Sequence, residues 1–193
     1  MKFGQYKKKV LVHLIDDFEN GVSVLFFSKR KLNTSDRIKK ATYELLAFKG
    51  YSAISMRDIA KRAGLVVGQL TYHYKTKDHL IESVIEDFTN IIIEKLKDYL
   101  RFSNNKVDDV KKYVAVMYEE DNATYRVLLD FAAQSLWNEK IKVKMNVFFE
   151  KFTSIVKQAY IDDGANSNVA SEKAEELVSN MIGKNLIKIT SIA

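Results

Sequence analysis

The side chains best suited to chemistry in this 193-residue chain lie between Ser55 and Leu80, in the stretch SMRDIAKRAGLVVGQLTYHYKTKDHL. Their types suit reversible binding rather than covalent work. Arg57, Lys75 and Lys77 bring positive charge, Ser55, Gln69 and Thr71 bring neutral polar groups, and Tyr72-His73-Tyr74 forms an aromatic exit. Together they match a nucleic acid: cations release counterions from phosphates, and polar side chains meet base edges. Catalysis finds no comparable support. His13, His73 and His79 are the only histidines, there is no Cys, and no HExxH pair, Gly-rich phosphate loop or triad-like grouping occurs. The chain is read as a non-enzyme with no catalytic residue, metal site or cofactor.

Two short helices must position these groups. Ser55 is an N-cap with Asp58 three residues on, a capping-box spacing, and Ile59, Ala60 and Ala63 fall on one side. Gly64 ends that helix. Val66 to Tyr74 then allows about two turns, the size of a recognition helix entering a major groove about 12 Å wide. Upstream, Ile38, Ala41, Leu45 and Phe48 share a helical face closed by Gly50. Downstream, Thr76 caps a long helix carrying Leu80, Val84, Ile85, Phe88, Ile92, Leu96 and Tyr99. Ser103-Asn104-Asn105 interrupts the pattern, and helices are predicted at about Val107 to Glu119, Ala123 to Trp137, Glu139 to Ile161 and from Ser171 onward.

Composition agrees with an all-α protein. No Pro and only seven Gly in a chain that is 47% hydrophobic and 29% charged fit helices better than turn-rich β architecture. The longest apolar runs are far short of the roughly 20 residues a bilayer requires, so no membrane partner is expected. The lack of Cys fits a reducing cytoplasm. Residues 1–82 hold 16 Lys and Arg against 8 Asp and Glu, a net of +8, and the remainder carries −2 of the total +6. The positive half contains the two-helix motif. A solvated basic surface is the plainer reading of that charge.

The order Phe48-Lys49-Gly50-Tyr51, Ser55-Met56-Arg57-Asp58-Ile59-Ala60, Ala63-Gly64-Leu65, Gly68-x-Leu70-x-Tyr72-His73-Tyr74 and Lys75-Thr76-Lys77-Asp78-x-Leu80 resembles the DNA-binding domain of the TetR family of bacterial transcriptional regulators. The resemblance covers roughly residues 35 to 85. It implies an N-terminal three-helix helix-turn-helix domain, a C-terminal helical-bundle ligand-binding and dimerisation domain, and a homodimer on a palindromic double-stranded operator. It places Val67, Gly68, Gln69 and Thr71 toward bases, with Gln69 the best hydrogen-bonding candidate for an adenine edge and Val67 an apolar contact to a thymine methyl. Phosphates would fall to Ser55, Arg57, Tyr72, His73, Lys75 and Lys77. Thr71 sits where a tyrosine is common, and Val66 where a capping Ser or Thr is usual, a loss of about 1 kcal/mol.

The expected division is residues 1–33 as an extension, 34–85 as the helix-turn-helix domain and 86–193 as the ligand-binding and dimerisation domain. In the extension, Val10, Leu11, Leu14, Ile15 and Phe18 fall at helical spacing, so an extra helix and a disordered arm are both open. Met117, Tyr118, Phe131, Trp137 and Phe148 are the candidate lining of a pocket for a small-molecule effector, against the plainer reading that such residues are core. Phe152, Ile155, Leu177, Val178 and Met181 are the dimer candidates. A ligand-responsive repressor is the leading reading. A helical interaction module that has lost DNA binding is the alternative, and a helical enzyme the least supported.

Overall fold

The computed structural model describes residues 32–119 and 122–190. Among them the secondary structure is helical: α1 (Thr34–Lys49), a 3-10 turn (Tyr51–Ala53), α2 (Met56–Ala63), α3 (Val67–His73), α4 (Lys77–Leu100), α5 (Lys106–Glu119), α6 (Asn122–Gln134), α7 (Glu139–Asp162) and α8 (Ser167–Thr190). The predicted helix of the N-terminal extension lies outside the described residues. Its last residue, Asn33, is the N-cap of α1, its side chain accepting from Asp36 N–H at 2.9 Å while Asp36 accepts from Asn33 N–H at 3.3 Å.

The boundaries follow local chemistry. Gly50 closes α1 at φ 77°, Ser55 caps α2, and Thr76 caps α4 by accepting from His79 N–H at 3.1 Å. Two expected boundaries move. The helix after residue 122 stops at Gln134, and Ser135–Trp137 becomes a tight turn whose Trp137 N–H donates to Gln134 O at 3.0 Å. The last helix begins at Ser167 rather than Ser171, because Asn166 accepts from Val169 N–H at 3.0 Å and starts it a turn earlier.

One buried apolar cluster runs through the molecule. Ile38, Leu46, Ile59, Ala60, Leu70 and Leu80 tie α1, α2 and α3 to the start of α4. Phe88, Tyr113, Met117, Phe131, Phe148, Phe152 and Val178 continue it among α4 to α8. The long helix α4 passes unbroken from the first group into the second, so the three-helix head has a rigid stem. Burial pushes the Tyr113 phenol well above its ordinary range, and its hydroxyl donates to Ile92 O at 3.0 Å.

The pocket and dimer candidates do not form one group. Met117 and Phe131 are packed into the core, and Phe148 borders a groove of about 180 Å³ between α4 and α7 that also touches Glu86, Ile93 and Lys151. Trp137 stands apart at 87% exposure, since the early end of α6 places it on the outside of a turn instead of on a helix face. The Tyr118 side chain lies outside the described residues. Phe152 and Val178 are buried within the chain's own α7–α8 packing, while Ile155, Leu177 and Met181 remain half-buried.

Candidate nucleic-acid interface

The motif is built on α2, a glycine turn and α3. At the start of α2 the Ser55 hydroxyl donates to the Asp58 carboxylate at 2.6 Å, Ser55 N–H donates to it at 2.9 Å, and Asp58 N–H donates back to Ser55 Oγ at 3.2 Å. Those Ser55 hydrogen bonds hold the Asp58 carboxyl below its usual value of 3.8. A carboxylate depressed in the folded state stabilises above its unfolded pKa, and that contribution is lost as pH falls through the folded value. Acid titration below about pH 4 is therefore expected to loosen the first turn of α2, and Asp58→Asn should flatten that part of the profile, read by amide exchange at Met56 to Asp58.

At its other end α2 stops at Gly64, whose φ of 67° is left-handed and whose N–H reaches back to Lys61 O at 3.2 Å, with Leu65 N–H on Ala60 O at 2.9 Å. Arg37 from α1 braces this turn, its Nη2 donating to Ala63 O at 2.7 Å and to Gly64 O at 3.4 Å. A Cβ at Gly64 would stand 3.1 Å from that guanidinium, on top of the backbone strain. Arg37 does not emerge from the linear motif. The orphan carbonyls that end every helix are the signal that would have called for a cation there.

The seven-residue helix α3 has one buried residue, Leu70, and Tyr74 at its C-cap is also buried, with its hydroxyl 2.8 Å from Ser35 Oγ. Everything else on it faces outward or is half-buried. Ser55, Arg57, Val67, Gly68, Gln69, Tyr72, His73 and Lys75 are exposed, and Thr71 and Lys77 are half-buried. Tyr72 is 78% exposed and meets the His73 ring edge-on at 5.5 Å, so it is not a core residue. Arg57, Lys61 and Lys75 are exposed and form no ion pair among the described residues. Arg62, in contrast, is drawn to Glu44 at 2.5 Å.

Like Ser55, two further expected contacts, Gln69 and Lys77, are engaged within the protein. Gln69 Oε1 accepts from Val66 N–H at 3.2 Å, which completes half of a capping box that Val66 itself cannot supply. Lys77 Nζ donates to Tyr51 O at 2.6 Å and lies 4.2 Å from the centre of the Tyr51 ring. Burial there lowers the Lys77 pKa from the ordinary lysine value, with Asp78 and Asp130 opposing the shift. Its ammonium is thus committed to the protein rather than presented to a phosphate. Tyr51 is in turn held by Asp130 of α6, whose carboxylate accepts its N–H at 2.5 Å, and by Asp78, which accepts its hydroxyl at 3.0 Å. Sequence reasoning missed Tyr51 and Asp130 as supports of the head, since 79 positions separate them.

Comparison with known proteins bears on what such a surface does. Residues 38–84 match the model described as bacterial regulatory proteins, tetR family. Over 84 residues the chain is 25% identical to the HTH-type transcriptional repressor KstR2 of Mycolicibacterium smegmatis, spanning 44% of this chain and 41% of that repressor's own length. Two solved structures share the fold: a TetR transcription regulator from Haloarcula marismortui (TM-score 0.72, 19% identity, 81% of this chain and 86% of that one), and a transcriptional regulator from Saccharomonospora viridis in complex with choline (TM-score 0.73, 18% identity, 81% and 85%). KstR2 is a transcriptional repressor, and both of these solved structures are of transcriptional regulators. The braced helix-turn-helix thus lies inside residues that match the tetR-family model, and the helical body around it shares the fold of solved transcriptional regulators.

Proposed function

We propose that the protein is a transcriptional regulator that binds a palindromic operator as a homodimer and is released from it by a small-molecule effector. The observation that carries this reading is α3, a helix anchored by Leu70 with its remaining surface open and exposed cations on either side of it. In this reading residues 34–85 are the DNA-binding head and 86–193 the effector and dimerisation region. Ser55, Arg57, Tyr72, His73 and Lys75 meet phosphates, while Val67, Gly68, Gln69 and Thr71 lie along the base edges. Two heads are set about one DNA turn, roughly 34 Å, apart. The half-buried Ile155, Leu177 and Met181 on α7 and α8 supply apolar surface for the seam between copies.

The effector site belongs in the body, around Met117, Tyr118, Phe131 and Phe148. The buried Met117, Phe131 and Phe148 would have to part to admit a ligand, and that repacking would move α4, the stem of the head. The choline held by the Saccharomonospora viridis protein supports a small organic effector for this fold. None of the helices among the described residues is long and apolar enough to cross a membrane, and a regulator acting on the chromosome works in the cytoplasm.

Capture of genomic fragments on the full chain tests the proposal: a shared palindrome should be enriched, and its absence would refute operator binding. Salt then separates direct contacts from supports. Lys75→Ala should weaken all duplexes and reduce the salt slope by about one, as expected for one lost phosphate contact. Lys77→Ala should also weaken binding but leave the slope unchanged, because its ammonium is spent on Tyr51. A slope reduced equally by both variants would restore Lys77 to the phosphate contacts.

A further inference from the structure

The polar groups of Gln69 and Thr71 are turned onto α3 itself, while Val66 and Val67 at its start are exposed. Gln69 Oε1 is engaged by Val66 N–H at 3.2 Å, so the side chain is folded back on the helix start instead of holding out the paired donor and acceptor that give glutamine its selectivity at an adenine edge. The Thr71 hydroxyl donates to Val67 O and Gly68 O, each at 3.1 Å, leaving its γ-methyl as the group available to a neighbour. Gly68 has no side chain to offer. Val66 is 67% exposed and Val67 39% exposed. This pair of β-branched residues at the leading end of a seven-residue helix leaves apolar surface open to a partner.

Resting on the regulator reading above, we propose that α3 reads its operator through thymine C5-methyl groups, with Val66, Val67 and the Thr71 methyl as the specificity-determining contacts and Gln69 as a positioning residue for the helix start. The occupant of the apolar strip is a thymine-bearing major-groove edge, because exposed Arg57 and Lys61 on α2 and Lys75 just past α3 supply the charge that a phosphate backbone neutralises. The thymine methyl is the one apolar group a base pair displays in that groove. Each methyl buried against valine adds the affinity of a methylene-sized group, about 0.8 kcal/mol or roughly fourfold.

Deoxyuridine separates this from hydrogen-bonded readout, since it keeps every donor and acceptor of thymine and lacks only the methyl. Operators are first selected from a randomised duplex pool by the full chain, and each thymine of a half-site is then replaced singly by deoxyuridine. The expected result is a roughly fourfold loss at the positions facing α3, and that loss should vanish in Val67→Ala or Val66→Ala. Gln69→Ala should weaken binding to all duplexes about equally without altering the order of base preference. Unchanged affinity on deoxyuridine operators, or a preference at one A·T position that Gln69→Ala alone erases, would overturn the methyl reading while leaving the regulator intact. Failure to select any duplex would instead overturn both.

Discussion

Leu70→Ala is expected to abolish specific duplex binding while the helical body stays folded. Seven residues are too few for a helix to hold itself in water, where nucleation is costly and about 12 to 15 residues are needed even for good helix formers. Packing must therefore hold α3, and Leu70, fully buried in the cluster with Ile59 and Leu80, is its one buried residue. Truncating a buried leucine costs about 2–5 kcal/mol, a large part of the roughly 5–15 kcal/mol that stabilises a whole domain. The helix also lacks a side-chain acceptor at Val66 and carries a glycine at its second position, so little local propensity opposes fraying. Circular dichroism should show only a small loss of helix, because α4 to α8 do not depend on this contact. Leu70→Met, which keeps volume and apolarity, should retain most binding. Near-normal binding by Leu70→Ala would show that α3 does not need its anchor and would remove the argument for a preformed recognition helix.

The second large effect is expected at the junction of head and body. Asp130 sits on α6, yet its Oδ2 accepts the Tyr51 N–H at 2.5 Å, just beyond the end of α1, and its Oδ1 accepts from Gln134 Nε2 at 3.3 Å. The approach depends on Gly50, where φ is 77° and a Cβ would lie 3.3 Å from the same carboxylate oxygen. Asp130→Ala leaves the Tyr51 amide without its acceptor, a cost of about 1–3 kcal/mol for a buried donor and toward the lower end for this half-buried one. Because Tyr51 also seats Lys77 and Asp78 at the start of α4, the head should lose its fixed orientation on the stem, and duplex affinity should fall several-fold without loss of base preference. Amide exchange at Tyr51 should quicken in the variant. Asp130→Asn keeps an oxygen able to accept and should recover much of the stability. Equal loss in both variants would mean that the negative charge, rather than the acceptor, is what the junction uses.

These two sites show which parts of the molecule could be read in advance. Ser55 with Asp58, Gly64 and Thr76 are legible because caps and helix-ending glycines act within four residues, so their spacing in the chain is their spacing in space. Leu70 and Tyr74 follow from helical periodicity in the same way. Gln69 was legible in principle, standing three residues after an N-cap position, yet the valine at that position hides the pattern because only half of the reciprocal pair can form. Trp137 defeats periodicity for a related reason: the helix that would have buried it ends three residues sooner.

The sequence by itself determined that the chain is helical, that its net positive charge lies toward the N-terminal part and that a helix-turn-helix sits between Ser55 and Tyr74, because composition, charge and capping are local properties. Tertiary structure alone decided which of those polar groups stay available. Arg37 is spent on the Gly64 turn, Lys77 on Tyr51, and Asp130 on the backbone that joins head to body. Each pairs residues 26 to 79 positions apart, and a polar side chain near a buried or half-buried backbone group takes that partner first, because leaving it unpaired costs more than a contact with solvent returns.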